Sequence, residues 1–285
     1  MLARLFAYAQ YILPKYWLTA VVYRVARIRH TNFKNFIITR FVKLYKVDTS
    51  DISLTLPDDF ANFNEFFIRE LRADARPIDV NAQAIVSPVD GTVSQAGDLR
   101  GTAILQAKGI EYSLDELLAT NLAEARAFSA GHFATIYLAP YNYHRVHAPL
   151  AGDLVSASYV PGDLFSVNTA TAANIPGLFR RNERLILNFN TSVGPAAVVF
   201  VGALNVGSIS TPWSGEIRPR QSGVVENIDL GAKSVAIAKG ELLGWFNMGS
   251  TVILLLPKGA CEWRDGLTAG NTLRMGEAIG RLSSH

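Results

Sequence analysis

The stretch LLGWFNMGSTVILLLP, residues 242–257, contains no charged side chain. It is shorter than the roughly 20 apolar residues that a membrane-spanning helix needs. Gly244, Asn247 and the sequence Gly249-Ser250-Thr251 also interrupt its apolar character. The stretch therefore predicts two buried β-strands that meet at a turn.

Similar short apolar runs, rich in β-branched residues, recur from Ile85 onward. They include AIVSPVDGTV, HFATIYLAP, LILNF, AAVVFVGALNVGSI and VAIAKGELLGWF. The chain has 22 Gly and 12 Pro, and this number of turn-forming residues favours many short strands over a helical bundle. We expect an α+β protein whose main part is a mostly antiparallel β-sandwich or barrel-like domain. One inserted helix is expected at Asp115–Ala127, DELLATNLAEARA.

Residues 1–47 combine positive charge with helical periodicity. They contain nine Lys or Arg and no Asp or Glu, whereas the rest of the chain has 18 basic and 24 acidic residues. Apolar residues recur at i, i+3 and i+4 in three stripes that start near Leu2, Trp17 and Phe33. Basic amphipathic helices bind the surface of anionic membranes, so we expect an anionic phospholipid membrane as the partner of this segment. A helical cap packed on the β-domain is the alternative, and nucleic acid is not expected.

Several classes of protein are excluded by composition. The 49% hydrophobic and 18% charged residues do not fit a disordered or low-complexity chain. The single cysteine, Cys261, cannot form an intramolecular disulfide or a cysteine metal cluster, and it indicates a reducing compartment. In the N-terminal segment the charge-free runs Leu5–Pro14 and Tyr16–Tyr23 are too short to span a bilayer. The recurring charges also argue against a secretory signal peptide.

A connector separates the two predicted domains, 1–47 and 48–285. Residues 48–58, DTSDISLTLPD, are largely polar and are followed by a Phe-rich stretch. Phe60, Phe63, Phe66, Phe67 and Leu71 have helical spacing. We expect a helix that closes at Arg76-Pro77, because the residue before a proline disfavours helix.

Three motifs bring together residue types that can carry chemistry. They are SPVDG at 87–91, APYNYHRVHAP at 139–149 and GST at 249–251, and their candidate side chains are Asp90, His144, His147 and Ser250. Each motif alone also fits an ordinary turn or loop, and His144 and His147 have no further metal ligands near them in sequence. An Asp, a His and a Ser together can activate a hydroxyl group.

The position of Ser250 differs from that of a hydrolase nucleophile. The chain has no Gly-x-Ser-x-Gly elbow at this serine, which directly follows Gly249 inside an apolar run. Glycine leaves its carbonyl unshielded and tolerates unusual backbone angles. The Ser250 hydroxyl can therefore attack the Gly249 carbonyl and convert the peptide bond into an ester.

Seven ordered blocks over nearly the whole chain carry a family resemblance. They are FNEFFIRELRADARPI (63–78), SPVDGTV (87–93), KGIEYSLDELL (108–118), YLAPYNYHRVHAPLAG (137–152), PGLFRRNER (176–184), VGALNVGSI (201–209) and KGELLGWFNMGSTVILLLP (239–257). The chain resembles the proenzymes of bacterial, membrane-associated phosphatidylserine decarboxylases. Met248 stands where that family often has Leu or Phe. Asn142 stands where it often has Asp, so Asn142 receives no acid role.

The resemblance implies self-cleavage between Gly249 and Ser250. Asp90 would orient His147, which would deprotonate Ser250 for attack on the Gly249 carbonyl. An N→O shift and elimination would then give a β chain, 1–249, and an α chain, 250–285. Ser250 would become a pyruvoyl group, the expected cofactor, so that neither pyridoxal phosphate nor a metal is needed.

The resemblance also implies the reaction and its setting. The amine of phosphatidylserine would form a Schiff base with the pyruvoyl ketone, which accepts the electrons left when CO₂ departs. His144 or His147 would return a proton, with His144 favoured because His147 already acts in cleavage. The product would be phosphatidylethanolamine. We expect a peripheral protein on the cytoplasmic side of the cell membrane.

The two cleaved chains are expected to stay together as a heterodimer, and a dimer of such heterodimers is a further option. Two other function classes remain open. A serine hydrolase using Asp90, His147 and Ser250 would stay uncut and react with fluorophosphonates. A non-enzymatic peripheral membrane protein, in which Gly-Ser-Thr is only a turn, would stay in one piece whether or not Ser250 is replaced.

Overall fold

The structure is a computed structural model that describes residues 2–107 and 109–283. Lys108, the first residue of the block at 108–118, lies outside the described residues, as do Met1, Ser284 and His285. The helices are α1 Leu2–Ala9, α2 Lys15–Ala26, α3 Thr31–Tyr45, α4 Phe63–Phe67, α5 Leu114–Leu118, α6 Leu122–Ala125, α7 Thr169–Ala172 and α8 Leu178–Arg181, with a 3₁₀ turn at Arg126–Phe128.

The strands are short and pair antiparallel throughout the four sheets. They are β1 Ala84–Val86, β2 Gly91–Asp98, β3 Ala103–Ala107, β4 Ile110–Ser113, β5 His132–Tyr137, β6 Arg145–His147, β7 Gly152–Val160, β8 Arg184–Thr191, β9 Gly194–Val201, β10 Ile209–Thr211, β11 Gly215–Ile217, β12 Glu226–Ile228, β13 Val235–Ile237, β14 Leu242–Phe246, β15 Thr251–Leu256, β16 Cys261–Trp263, β17 Thr272–Leu273 and β18 Ala278–Leu282. The predicted α+β class with antiparallel strands is confirmed. Within the described residues each sheet stays open, so the barrel-like variant of the prediction is not what forms.

The largest sheet has nine strands and places β15 near its centre. Its order is β12-β7-β8-β9-β15-β5-β2-β17, and β13 also pairs with β7. All six residues of β15 are buried, as expected for a continuous Val, Ile and Leu run that is covered on both faces. Thr251 at its start lies opposite Val201 of β9 and Tyr137 of β5.

The two strands predicted within residues 242–257 are present, but they belong to different sheets. β14 lies in a four-stranded sheet of order β11-β10-β14-β6, whereas β15 lies in the nine-stranded sheet. Residues 247–250 therefore cross from one sheet to the other and do not form a hairpin turn. This crossing contains the Gly249–Ser250 bond.

Helices form at each of the three N-terminal stripes, and they pack on the rest of the chain. Ala7 of α1 lies in the main hydrophobic core, and Gln10 donates a hydrogen bond to the Thr171 hydroxyl at 3.0 Å. Lys15 is buried and forms an ion pair with Asp163 at 3.1 Å. None of the described helices combines the length and hydrophobicity needed to cross a membrane.

A second, smaller core joins the N-terminal helices to the Phe-rich stretch. Its buried residues are Ala26, Ile38, Val47, Phe60, Phe63, Phe66 and Phe67, and Met248 packs against them. This core contains residues from both sides of the predicted domain boundary at 47/48. It brings α2, α3 and α4 next to the sheet crossing at Gly249.

The Phe-rich helix is shorter than expected. α4 begins after Asn62, whose side chain accepts a hydrogen bond from the Glu65 amide at 3.0 Å, and it ends at Phe67 rather than near Arg76. Beyond it Arg69 is buried, and its Nη2 donates to the Tyr141 carbonyl at 3.2 Å. The chain leaves the helix because this segment bonds to other parts of the molecule.

The prediction of one inserted helix at Asp115–Ala127 is wrong in detail. Two short helices and a 3₁₀ turn occupy this region. Ala119 adopts a left-handed conformation with φ 48° and ends α5. Asn121 then caps α6 by accepting from the Glu124 amide at 3.0 Å. Asn favours a helix start over a helix interior, which explains the break.

Candidate active site

Ser250 lies at the end of the sheet crossing and is fully buried. Its hydroxyl donates to the Val201 carbonyl of β9 and accepts from the Thr251 amide at 2.5 Å. Its own carbonyl accepts from the Leu138 amide at 2.8 Å. Both neighbouring strands therefore hold Ser250 in place, while the preceding Gly249 is half-buried.

Of the predicted site histidines, His144 is the one that lies beside the Gly249–Ser250 peptide bond. A Cβ atom added at Gly249 would lie 3.4 Å from His144 Nε2. His144 Nδ1 lies 2.8 Å from the Asn142 carbonyl, which can only accept, so Nδ1 carries the proton and Nε2 has a lone pair. Among the described residues Nε2 has no hydrogen-bond partner. The lone pair is therefore available beside Gly249.

The surroundings of His144 keep its ring neutral. The side chain is fully buried and packs on Phe67 with ring centroids 4.1 Å apart. Burial, aided by the positive charge of Arg69, lowers the pKa of His144 to about 3. The near-neutral pKa expected of an ordinary histidine does not apply to the uncut chain, in which His144 is neutral and a weak base.

Arg69 is a site neighbour that the sequence analysis did not single out. Its guanidinium lies over the Phe66 ring, 5.2 Å from the centroid, and Arg69 Nε has no partner among the described residues. Burial lowers the pKa of Arg69 to about 10, so the group remains charged at neutral pH. Only its position in the block FNEFFIRELRADARPI pointed to it in the sequence.

His147 lies on β6 with both ring nitrogens engaged. Nδ1 is 2.8 Å from the Gly240 carbonyl, and Nε2 is 3.1 Å from the Tyr143 hydroxyl. The carbonyl fixes the proton on Nδ1, so Nε2 accepts from Tyr143. Burial lowers the pKa of His147, and Asp90 opposes this with a smaller effect. Ser250 is not a hydrogen-bond partner of His147 in the described chain.

Asp90 is held by an arginine that the sequence analysis also missed. Arg76 Nε and Nη2 bond its two oxygens at 2.8 and 2.6 Å, and the Met275 amide donates at 2.8 Å. Arg76 also pairs with Asp51 at 2.7 Å. Direct hydrogen bonds between Asp90 and His147 are absent from the described residues. The structure therefore places Asp90 near His147 without joining the two.

A cavity of about 210 Å³ opens beside Gly249. Phe41, Tyr45 and Phe67 form an aromatic wall, and Ser166, Asn168 and Asn205 supply polar groups. Apolar walls with a few polar groups are typical of small-molecule sites. The described part of the chain has no group of three or more His, Cys, Asp or Glu placed to hold a metal ion.

Comparisons with known proteins agree over nearly the full length. A family model described as phosphatidylserine decarboxylase matches residues 63–281, and a second, described as PSD, matches residues 5–46. A protein of Saccharophagus degradans is 46% identical over 280 residues, covering 98% of both chains. One of Methylococcus capsulatus is 44% identical, covering 97% of this chain and 96% of its own. One of Azotobacter vinelandii is 46% identical, covering 98% and 99%. All three are named phosphatidylserine decarboxylase proenzyme.

Proposed function

The chain belongs to the phosphatidylserine decarboxylase family, a family of enzymes, and from this membership we propose its reaction and its processing. The chain cuts its own Gly249–Ser250 bond and then converts phosphatidylserine to phosphatidylethanolamine and CO₂. The word proenzyme in the names of the relatives supports the processing step. The observation that carries the proposal is the fully buried Ser250 directly after Gly249, which lines the cavity at the sheet crossing.

Cleavage begins when a base takes the Ser250 proton. In the described chain that proton points to the Val201 carbonyl, so the hydroxyl must turn away before it can attack the Gly249 carbonyl. The family resemblance implies that His147 is this base and that Asp90 orients it. His147 must first release Tyr143, whereas His144 needs no such change. We propose Asp90, His147 and Ser250 as the cleavage residues. Separate substitution of His144 and His147 compares the two histidines directly.

The cofactor is a pyruvoyl group derived from Ser250. Its ketone supplies the electron-accepting carbonyl that pyridoxal phosphate supplies in other decarboxylases. The residues around Ser250 fit such a group, because the position is buried and lies next to a cavity with aromatic walls. His144 Nε2 lies beside Gly249, which lines the cavity. That nitrogen carries no proton in the uncut chain, so His144 must take one up before it can act as the proposed proton donor after CO₂ has left.

The N-terminal helices are proposed to bind an anionic membrane from the cytoplasmic side. One side of these helices packs on the protein, and the other exposes large apolar side chains such as Phe6, Trp17 and Phe36. Arg24 and Arg29 are exposed near them. Apolar and cationic side chains on one surface are the combination that binds anionic bilayers. The cap and the membrane-binding roles are therefore compatible.

A denaturing gel with intact-mass measurement tests the proposed processing. We expect two chains, the smaller starting at Ser250 with a blocked, borohydride-reducible end, and CO₂ release from phosphatidylserine vesicles. Ser250→Ala should leave the chain whole. An unprocessed wild-type chain without carbonyl reactivity would refute the proposal, and labelling of that chain by a fluorophosphonate would favour the hydrolase.

The same gel separates the roles of the two histidines. We expect His147→Ala to block cleavage, and His144→Ala to cleave but to release CO₂ slowly. His30→Ala is the matched control, because His30 is exposed at the start of α3. Loss of cleavage in His144→Ala with normal cleavage in His147→Ala would transfer the base role to His144.

A further inference from the structure

We propose that a groove between α2 and α3 holds one acyl chain of the phospholipid whose head group enters the cavity at Gly249. We call it the acyl-chain groove; it is lined by Val21, Val22, Val25, Ala26, Ile37, Phe63 and Met248. This inference rests on the proposed function and adds to it the residues that bind the apolar part of the substrate.

The lining of the acyl-chain groove suits only an apolar ligand. All seven side chains are hydrocarbon or thioether groups, and Ala26 and Phe63 at its base are buried. Val21 and Val25 at its rim are 38% and 37% exposed, so the groove opens to the outside. An open apolar groove on a protein surface marks the binding of an apolar partner.

The acyl-chain groove continues into the candidate active site. Met248 lines both the groove and the cavity, and the next residue is Gly249. Phe63 of the groove packs edge-on against Phe41 of the cavity wall, with ring centroids 5.0 Å apart. A ligand that reaches from the acyl-chain groove into the cavity would meet apolar side chains in the groove and polar groups in the cavity. A phospholipid matches this arrangement, because its acyl chains are apolar and its head group is polar.

The charge at the rim fits the same occupant. Arg24 lies between Val21 and Val25 on α2 and is exposed, and residues 1–47 contain no carboxylate side chain that would repel a phosphate. The rim lies on helices that also expose other large apolar residues. An acyl chain could therefore pass from a bilayer into the groove without crossing a polar surface.

Chain-length selectivity tests the inference. We expect Val25→Trp, which fills the groove, to lower the ratio of kcat/KM for dioleoyl- over dibutyryl-phosphatidylserine by about tenfold, because apolar pockets discriminate by that order. Ile37→Trp, on the opposite wall, should do the same. The control is Leu44→Trp, an exposed position on α3 outside the groove, which should change the ratio by less than about twofold.

The remaining outcomes each decide the matter. A ratio that stays unchanged in both groove variants, or falls equally in Leu44→Trp, would overturn the inference. Loss of a concentration-dependent dimer in Val25→Trp, with the ratio unchanged, would assign the groove to a second copy of the chain. If a tryptophan variant fails to self-cleave, Val25→Leu or Ile37→Phe, which adds less volume to the groove, is measured in its place. An uncut wild-type chain that releases no CO₂ from either lipid would instead refute the proposed function itself.

Discussion

Individual side chains at the site were only partly predictable. The sequence singles out Asp90, His144 and His147 because each lies in a short motif of residues that suit chemistry. It does not single out Arg69 and Arg76, since an arginine in an otherwise ordinary helical stretch gives no sign of its partner. Arg76 meets Asp90 only after the chain between them has folded. A contact of this kind depends on tertiary structure, and composition or spacing cannot reveal it.

Glu183 is another buried group that the sequence did not reveal. It is 1% exposed, its Oε2 accepts from the Tyr159 hydroxyl at 2.6 Å, and its Oε1 has no partner among the described residues. Burial raises the pKa of Glu183 to about 7. The folded chain thus keeps a proton at pH values where the unfolded chain has lost it, which stabilises the fold at low pH.

We expect this contribution of Glu183 to be complete below about pH 4 and lost as the pH rises through about 7. Glu183→Gln cannot titrate at this position. Between about pH 4 and pH 8 it should therefore remove about 3 kcal/mol of the change in the free energy of unfolding. Urea unfolding in a Ser250→Ala chain measures it without interference from cleavage. Glu262→Gln, at an exposed position, is the control. An unchanged pH dependence in Glu183→Gln would contradict the assignment.

Among whole elements, those with a clear period were predicted best. The three N-terminal stripes correspond to α1, α2 and α3, and the apolar run at 251–256 corresponds to β15. The sequence predicts a turn at 247–250 where the structure has a crossing between sheets, because a sequence does not show which sheet each strand joins. α4 was expected to be longer because the spacing of phenylalanines shows an apolar face but does not show where the backbone bonds go.

The helices α1–α3 lead to a prediction about membrane binding. Reversing the charge of two exposed residues, Arg24→Glu with Arg29→Glu, should weaken binding to phosphatidylserine vesicles by about tenfold or more, since each basic residue near the surface contributes about 1 kcal/mol. Vesicle sedimentation at low and high salt measures this, and salt should weaken wild-type binding.

A matched reversal on the β-domain serves as the control. Arg126 and Arg281 are also exposed, so Arg126→Glu with Arg281→Glu changes the net charge by the same amount. We expect it to reduce vesicle binding much less. Equal losses in both double variants would show that net charge, and not the N-terminal helices, governs the binding.

For the molecule as a whole, residues 250–285, the proposed α chain, contribute strands to two different sheets. β15 lies between β9 and β5 of the proposed β chain, and β17 pairs with β2. β18 pairs with β1 in the three-stranded sheet. If cleavage occurs as proposed, the two chains would therefore share sheets that neither could complete alone.

We expect the cleaved chains to co-elute on size-exclusion chromatography under native conditions and to separate only in denaturant. Removing β15 would leave β9 paired only with β8 and β5 paired only with β2, each with one open edge, and would expose buried side chains, so spontaneous release of the α chain is strongly disfavoured. The uncut Ser250→Ala chain supplies the size reference. Appearance of a free 250–285 peptide in native buffer would contradict the shared-core arrangement.

The location of Ser250 immediately before β15 also bears on how accurately a newly created terminus is held. Freed ends of polypeptides usually fray, because few neighbours restrain them. This end would instead begin in the middle of the widest sheet, where the Leu138 amide bonds the carbonyl of residue 250 and Thr251 pairs with β5 and β9 on either side. Cleavage would thus leave a reactive group at a chain terminus that is held as firmly as a residue inside a strand. Only the substrate would then have to change its orientation for the reaction.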